Sequence, residues 1–153
     1  MLFLIKFLGL FLITVSTTAV GINKSKQLFL RVSELEWYVK ATRAIADKIR
    51  YSGDELAKVL LSLQGNAEHF SISSPFKVVL KKNSLNTDDQ KAIGDFFENI
   101  GLGDTENQLN ICSLYSKELS IRLDEARKEL REKSKLFKSL GFFIGLGVAI
   151  ILI

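Results

Sequence analysis

The sequence predicts an all-α protein, with a charged helical domain between two apolar helical ends. Three observations predict it. One proline in 153 residues leaves room for long, unbroken helices. Apolar residues in the middle recur at steps of three and four, the period of a helix face. Charge and hydrophobicity are segregated along the chain. Residues 1–21 carry 14 apolar side chains and one charge, Lys6, and residues 140–153 carry 11 apolar side chains, three glycines and no charge. All 17 acids and all other Lys and Arg lie in the 117 residues between, with a net charge of +3. The expected organisation is an N-terminal membrane helix over 1–21, a helical domain over 22–138 and a C-terminal membrane helix over 139–153. A middle of that size holds one modest domain, which argues against a two-domain enzyme. A single cysteine, Cys112, excludes an internal disulfide scaffold.

The first segment, Leu2 to Val20, is long enough for a hydrocarbon core, which needs roughly 20 helical residues. Ala19-Val20-Gly21 also offers a small-x-small cleavage site, so a cleaved signal peptide is the alternative. Against it, Lys6 sits inside the apolar run and no positive region precedes it. The next helix is predicted from Gln27 to Tyr51, with Leu28, Val32, Leu35, Val39, Ile45 and Ile49 on one stripe and Trp37, Tyr38 and Ala46 beside it. Ser52-Gly53-Asp54 breaks that pattern. Leu56, Val59, Leu60 and Leu63 make one face of a short second helix, closed by Gly65-Asn66.

From His69 to Asn83 the pattern is ambiguous. Ser71 to Pro75 reads as a turn, and Phe76 to Lys82 as a short helix, although Val78 and Val79 also suit a strand. Asn86-Thr87-Asp88-Asp89 is a capping sequence before a helix over Gln90 to Ile100, with Ile93, Phe96, Phe97 and Ile100 inward. Gly101-Leu102-Gly103-Asp104 is a tight turn. From Thr105 no breaker follows for more than thirty residues. Leu109, Cys112, Leu119, Leu123, Ala126 and Leu130 recur at three, four or seven as a coiled-coil-like seam, polar at Ser116. One helix from Thr105 to Ile153 is about 70 Å long at ~1.5 Å per residue, a stalk into the second apolar end. That end is short for a span. Leu136 and Phe137 extend it, with Lys138 reaching the interface.

The flanks set an orientation. Lys24, Lys26 and Arg31 follow the first apolar run with no acid before Glu34. Arg127, Lys128, Arg131, Lys133, Lys135 and Lys138 precede the second, against Glu129 and Glu132. Cationic flanks stay on the cytoplasmic side, which predicts a cytoplasmic domain on a hairpin whose termini both lie across the cell membrane. Lys6 and the terminal amine count against that orientation. Gly141 and Gly145 form a GxxxG pair, extended by Gly147, that lets helix backbones approach in lipid. The partner is either another protein or the first segment of the same chain, where Thr14, Thr17 or Thr18, and Gly21 offer a small face.

No constellation supports catalysis, a cofactor or a metal. His69 has no partner at ligand spacing. Gly101-Leu102-Gly103-Asp104 follows a helix and lacks the Lys-Ser/Thr of a phosphate loop. Asp88, Asp89 and Asp104 make no calcium loop. Lys and Arg alternate with acids, so no nucleic-acid surface is expected. The chain is read as a non-enzymatic contact protein. Its candidate contact residues are Asp47, Lys48, Arg50, Asp54 and Glu55, around the turn between the first two domain helices; a plain solvated face is the alternative.

The last third resembles the stage III sporulation protein AB family of endospore-forming bacteria. The residues are Phe96-Phe97-Glu98-Asn99-Ile100-Gly101-Leu102-Gly103-Asp104, Gln108, Leu119, Ala126 and Lys133. Leu140-Gly141-Phe142-Phe143-Ile144-Gly145 and the apolar tail follow. Ile49-Arg50-Tyr51, Leu56 and Leu60 fit the family upstream. Lys48 and Glu55 depart from the family's Glu and Pro, which puts a partner surface there in doubt. The resemblance implies a bundle similar to one repeat of the inner-membrane platform protein of type II secretion. It implies a channel complex between mother cell and forespore, a companion ATPase (stage III sporulation protein AA) docking from the mother-cell cytoplasm, and other stage III membrane proteins as ring partners. Two other readings compete: a self-associating membrane adaptor that uses the 109–130 seam without an ATPase, and an exported protein held by its tail.

Overall fold

A computed structural model describes the backbone of residues 2–52, 58–60, 70–73, 77–80 and 84–152. Within these, side chains are described for 9, 11–12, 15–51, 58–60, 84–137 and 139–148. The elements are α1 (Leu2–Ser52), β1 (Phe70–Ser73), β2 (Lys77–Leu80), α2 (Thr87–Asn99) and α3 (Thr105–Leu152). Residues 58–60 are also helical. The chain divides into two compact units, Leu30–Glu125 and the pair formed by Met1–Phe29 with Ala126–Ile153.

The long helices follow the sequence pattern. α1 is 51 residues and continuous, ending at Ser52 where the glycine of Ser52-Gly53-Asp54 follows. α3 is 48 residues, opening directly after the Gly101–Asp104 turn. In that turn Gly103 adopts φ 91°, a backbone conformation that favours glycine, and a Cβ there would have to displace the Asn107 side chain. The Asp104 side chain then caps α3 by accepting from the Asn107 N–H at 2.9 Å. α2 is capped by Asn86, whose Oδ1 accepts from the Asp89 N–H at 2.7 Å. Asp88 and Asp89 in its first turn suit the positive end of the helix dipole.

One expectation is corrected. The segment read as a turn and a short helix contains an antiparallel pair, with Phe70 opposite Leu80 and Ser73 opposite Lys77. Lys77–Leu80 is a strand where the short helix was expected. Ile72, Val78 and Val79 are β-branched and fit a pleated ladder, and Pro75 cannot serve a helix interior. The all-α reading therefore holds for every long element, with one two-stranded hairpin added. The second domain helix is described only at 58–60, and Asp54, Glu55, Leu63, Gly65, Asn66 and His69 lie outside the described residues.

Leu30–Glu125 has an ordinary apolar core. Ile45 and Ile49 from α1, Val59 and Leu60, Phe96 and Ile100 from the α2 end, and Cys112 from α3 form one buried cluster, flanked by Ala46, Phe97, Leu109, Ile111 and Tyr115. Leu35, Tyr38, Val39 and Ile93 are also buried. Rings pack edge-on, Phe96 to Tyr115 at 5.6 Å and Trp37 to Tyr38 at 5.0 Å. Burying this many side chains at roughly 1.5–3 kcal/mol each is what offsets the ordering of the chain. The predicted seam is consumed inside the chain, because Cys112, Leu119, Leu123 and Ala126 are all buried.

The terminal unit is built differently. Gly21, Ser25, Gly141 and Gly145 are buried, while Phe11, Leu12, Val15, Val20, Ile22, Phe29, Leu140, Phe142, Phe143 and Ile144 are exposed. Among the described residues, no helix is long and apolar enough to cross a membrane. The side chains of 1–8, 10, 13–14 and 149–153, a large part of both expected membrane segments, lie outside the described set.

Candidate functional site

Within Leu30–Glu125 the most specific polar feature is a buried ion cluster on Asp89. Asp89 sits four residues before Ile93, on the stripe that continues through Phe96 and Ile100, so its carboxylate turns inward and is fully buried. Arg31 of α1 grips it with two bonds, Nε to Oδ2 at 2.7 Å and Nη2 to Oδ1 at 3.3 Å. Arg122 of α3 stands 3.7 Å from Oδ1 and donates to Glu118 at 2.9 Å. One carboxylate therefore ties three helices at a fixed register. The sequence reading took Arg31 as a membrane flank and Asp89 as part of a cap. The missed signal was a carboxylate in step with an apolar stripe. Arg43 adds polar links to Ser116 at 3.3 Å and to Ser120 at 3.5 Å.

Among the described residues, no group of three or more His, Cys, Asp or Glu can hold a metal ion. Cys112 is buried in the core, and burial pushes its thiol up to about 11, so it stays protonated and unreactive near neutrality. Burial, reinforced by the Glu34 charge, pushes the Tyr38 hydroxyl well above its ordinary range.

Of the contact residues named from sequence, Asp47 and Arg50 are exposed on the last turns of α1. Lys48 is half-buried, and Asp54 and Glu55 lie outside the described residues. They are not drawn together into a described site.

In the terminal unit, α1 and α3 meet through their smallest residues. A Cβ added to Gly141 would stand 2.8 Å from the Thr17 carbonyl oxygen and 3.4 Å from the Cα atoms of Thr18 and Gly21. A Cβ on Gly21 would overlap the Phe137 carbonyl oxygen. Four residues further, the Ser25 and Ser134 hydroxyls share a hydrogen bond of 2.6 Å. Within the chain, the first segment is seated against Gly141. Gly145 is buried as well. Gly147 is not part of this face, since a Cβ there would meet nothing within 4 Å. It lies six residues beyond Gly141, about 240° around the helix, so it points elsewhere.

No curated protein and no solved structure matches the chain. Residues 71–153, from the hairpin through the whole of α3, match the family model of stage III sporulation protein AB, and because that is more than half of its length the chain belongs to this family.

Proposed function

We propose that this chain is a non-enzymatic membrane platform for stage III of sporulation. In this reading it couples a cytoplasmic ATPase, stage III sporulation protein AA, to membrane-embedded ring proteins of a secretion-type channel. Leu30–Glu125 stands in the mother-cell cytoplasm, and both termini lie on the far side of the cell membrane. The observation that carries the reading is the inverted construction of the terminal unit. Glycine and hydroxyl side chains are inside, and phenylalanine, leucine and isoleucine are outside. In water such a pair leaves a large apolar surface wet, whereas in lipid close backbone approach is what holds helices together. The cationic flanks at Lys24 and Lys26 and at Arg127 to Lys135 support the cytoplasmic side for the middle. Family membership supports the sporulation setting.

The competing reading is a self-associating adaptor without an ATPase. The middle of the 109–130 seam is not free to serve it, because Cys112, Leu119, Leu123 and Ala126 are buried within the chain. What remains for it is the outer face of α3, where Leu114 and Ile121 are exposed seven residues apart. Crosslinking in sporulating cells, followed by detergent solubilisation and affinity purification, separates the two. The platform reading expects the companion ATPase and other stage III membrane proteins to be recovered. Self-crosslinks alone would replace it with the adaptor.

A further inference from the structure

We propose that the terminal unit carries a binding groove for an anionic phospholipid, a reading that rests on the membrane placement above. The groove lies beside the Ser25–Ser134 contact, between α1 and α3, and three cations, Lys26, Arg131 and Lys135, rim it over an apolar floor of Ile22, Phe29 and Leu130. All three cations are exposed, and among the described residues none is paired with a carboxylate. The neighbouring acid Glu129 is occupied by Lys133 at 2.7 Å.

Charge complementarity selects the occupant. Three cations above an apolar floor match a phosphate headgroup with acyl chains attached, and neither half suits a neutral or purely polar molecule. The depth agrees. Ser25 is four residues from Gly21, about 6 Å along the helix, so the rim stands just beyond the glycine contact where a headgroup region begins. The apolar path continues in the direction the acyl chains need. Val15 lies seven residues from Ile22 on the same face of α1, and Phe142 lies seven from Lys135 on α3, and all three apolar residues are exposed. The hydroxyl pair adds a donor. Two hydroxyls hold two hydrogens and their mutual bond uses one, so one O–H remains for a phosphate oxygen. This groove would fix the anchor at one depth and make its seating depend on anionic lipid.

The test uses the full-length protein in mixed micelles with equal phosphatidylglycerol and phosphatidylcholine of the same acyl chains. Native mass spectrometry counts the bound lipid. The groove predicts one tightly held phosphatidylglycerol, preferred over phosphatidylcholine by at least tenfold. A cation near a lipid surface contributes about fivefold, so the triple variant Lys26→Gln, Arg131→Gln, Lys135→Gln loses that preference. A control of equal charge loss, Lys40→Gln, Lys58→Gln, Lys117→Gln, keeps it. Equal adducts of both lipids, equal losses in both variants, or displacement of the lipid by inorganic phosphate alone would each overturn the groove. Flotation with vesicles keeps the two readings apart. If the triple variant still floats and no lipid preference exists, only the groove is wrong. If the wild-type chain does not float, the membrane placement itself is wrong and the groove falls with it.

Discussion

Leu30–Glu125 hides Leu35, Ile45, Ile93 and Phe96 and, apart from the Asp89 cluster, turns most of its described charge outward, whereas the paired ends hide Gly21, Ser25, Gly141 and Gly145 and turn Phe11, Phe142 and Phe143 outward. Both draw on the same two long helices, α1 and α3, to which Leu30–Glu125 adds α2 and the β1–β2 pair. The difference lies in what each side chain gains by burial. In water, removing a large apolar surface is the main favourable term, so large residues go inside. In hydrocarbon that term vanishes between helices. Close packing and hydrogen bonds decide instead, and small residues go inside. The two arrangements are opposite, and each can be broken separately.

The largest effect is expected in the middle unit. Phe96→Ala removes a ring from the centre of the apolar cluster and costs about 4 kcal/mol, read as a lower denaturant midpoint. Asp89→Asn leaves Arg31 and Arg122 without their carboxylate and costs about 3 kcal/mol by the same measurement. If Asp89→Asn unfolds at the wild-type midpoint, the ion cluster does not hold the three helices. Neither change should alter the pairing of the ends.

The terminal unit breaks in the opposite way, by enlargement. Gly141→Leu, made together with Gly145→Leu, drives a side chain into the Thr17 carbonyl, and the pair should cost about 1–3 kcal/mol of helix pairing. The reporter is a disulfide between Ser25→Cys and Ser134→Cys, whose native hydroxyls are 2.6 Å apart. It should form in the parent and fail in the double-leucine variant, with unchanged melting of the middle unit. Efficient crosslinking in that variant would show that the glycines are not the contact.

Much of the middle unit was legible from periodicity. The stripe of α1, the Asn86 cap, the Gly103 turn and the unbroken run of α3 each follow from local spacing. The Asp89 cluster was not, because the grip of Arg31 on a residue 58 positions away is a tertiary fact. Only the inward register of Asp89 hinted at it. The hairpin was half legible. Val78 and Val79 favoured a strand, but a four-residue strand carries too few periods to outweigh a helical reading. In the ends, the small residues Gly21 and Gly141 could be picked out from spacing, whereas Gly147, read as extending the pair, lies about 240° from Gly141 around the helix and has open space beside it.

The smallest effect concerns pH. Burial raises the Cys112 thiol from its ordinary 9.0 to about 11 and raises the Tyr38 hydroxyl too. A group whose folded pKa is raised contributes stability fully below its unfolded pKa, and this is lost as pH rises through the folded value. The middle unit should therefore be flat in melting temperature from pH 7 to about 8.5 and decline above about 9. Cys112→Ala should make that alkaline decline shallower while lowering stability throughout, as measured by melting scans across pH. An unchanged alkaline slope would remove Cys112 as a contributor.

The central claim is that the inverted ends are built for lipid. Its most direct measurement is flotation of the full-length chain with phospholipid vesicles after extraction with alkaline carbonate, which strips peripheral proteins. The account predicts that the chain floats with the vesicles. A chain that stays at the bottom of the gradient, folded and free of lipid, would contradict it.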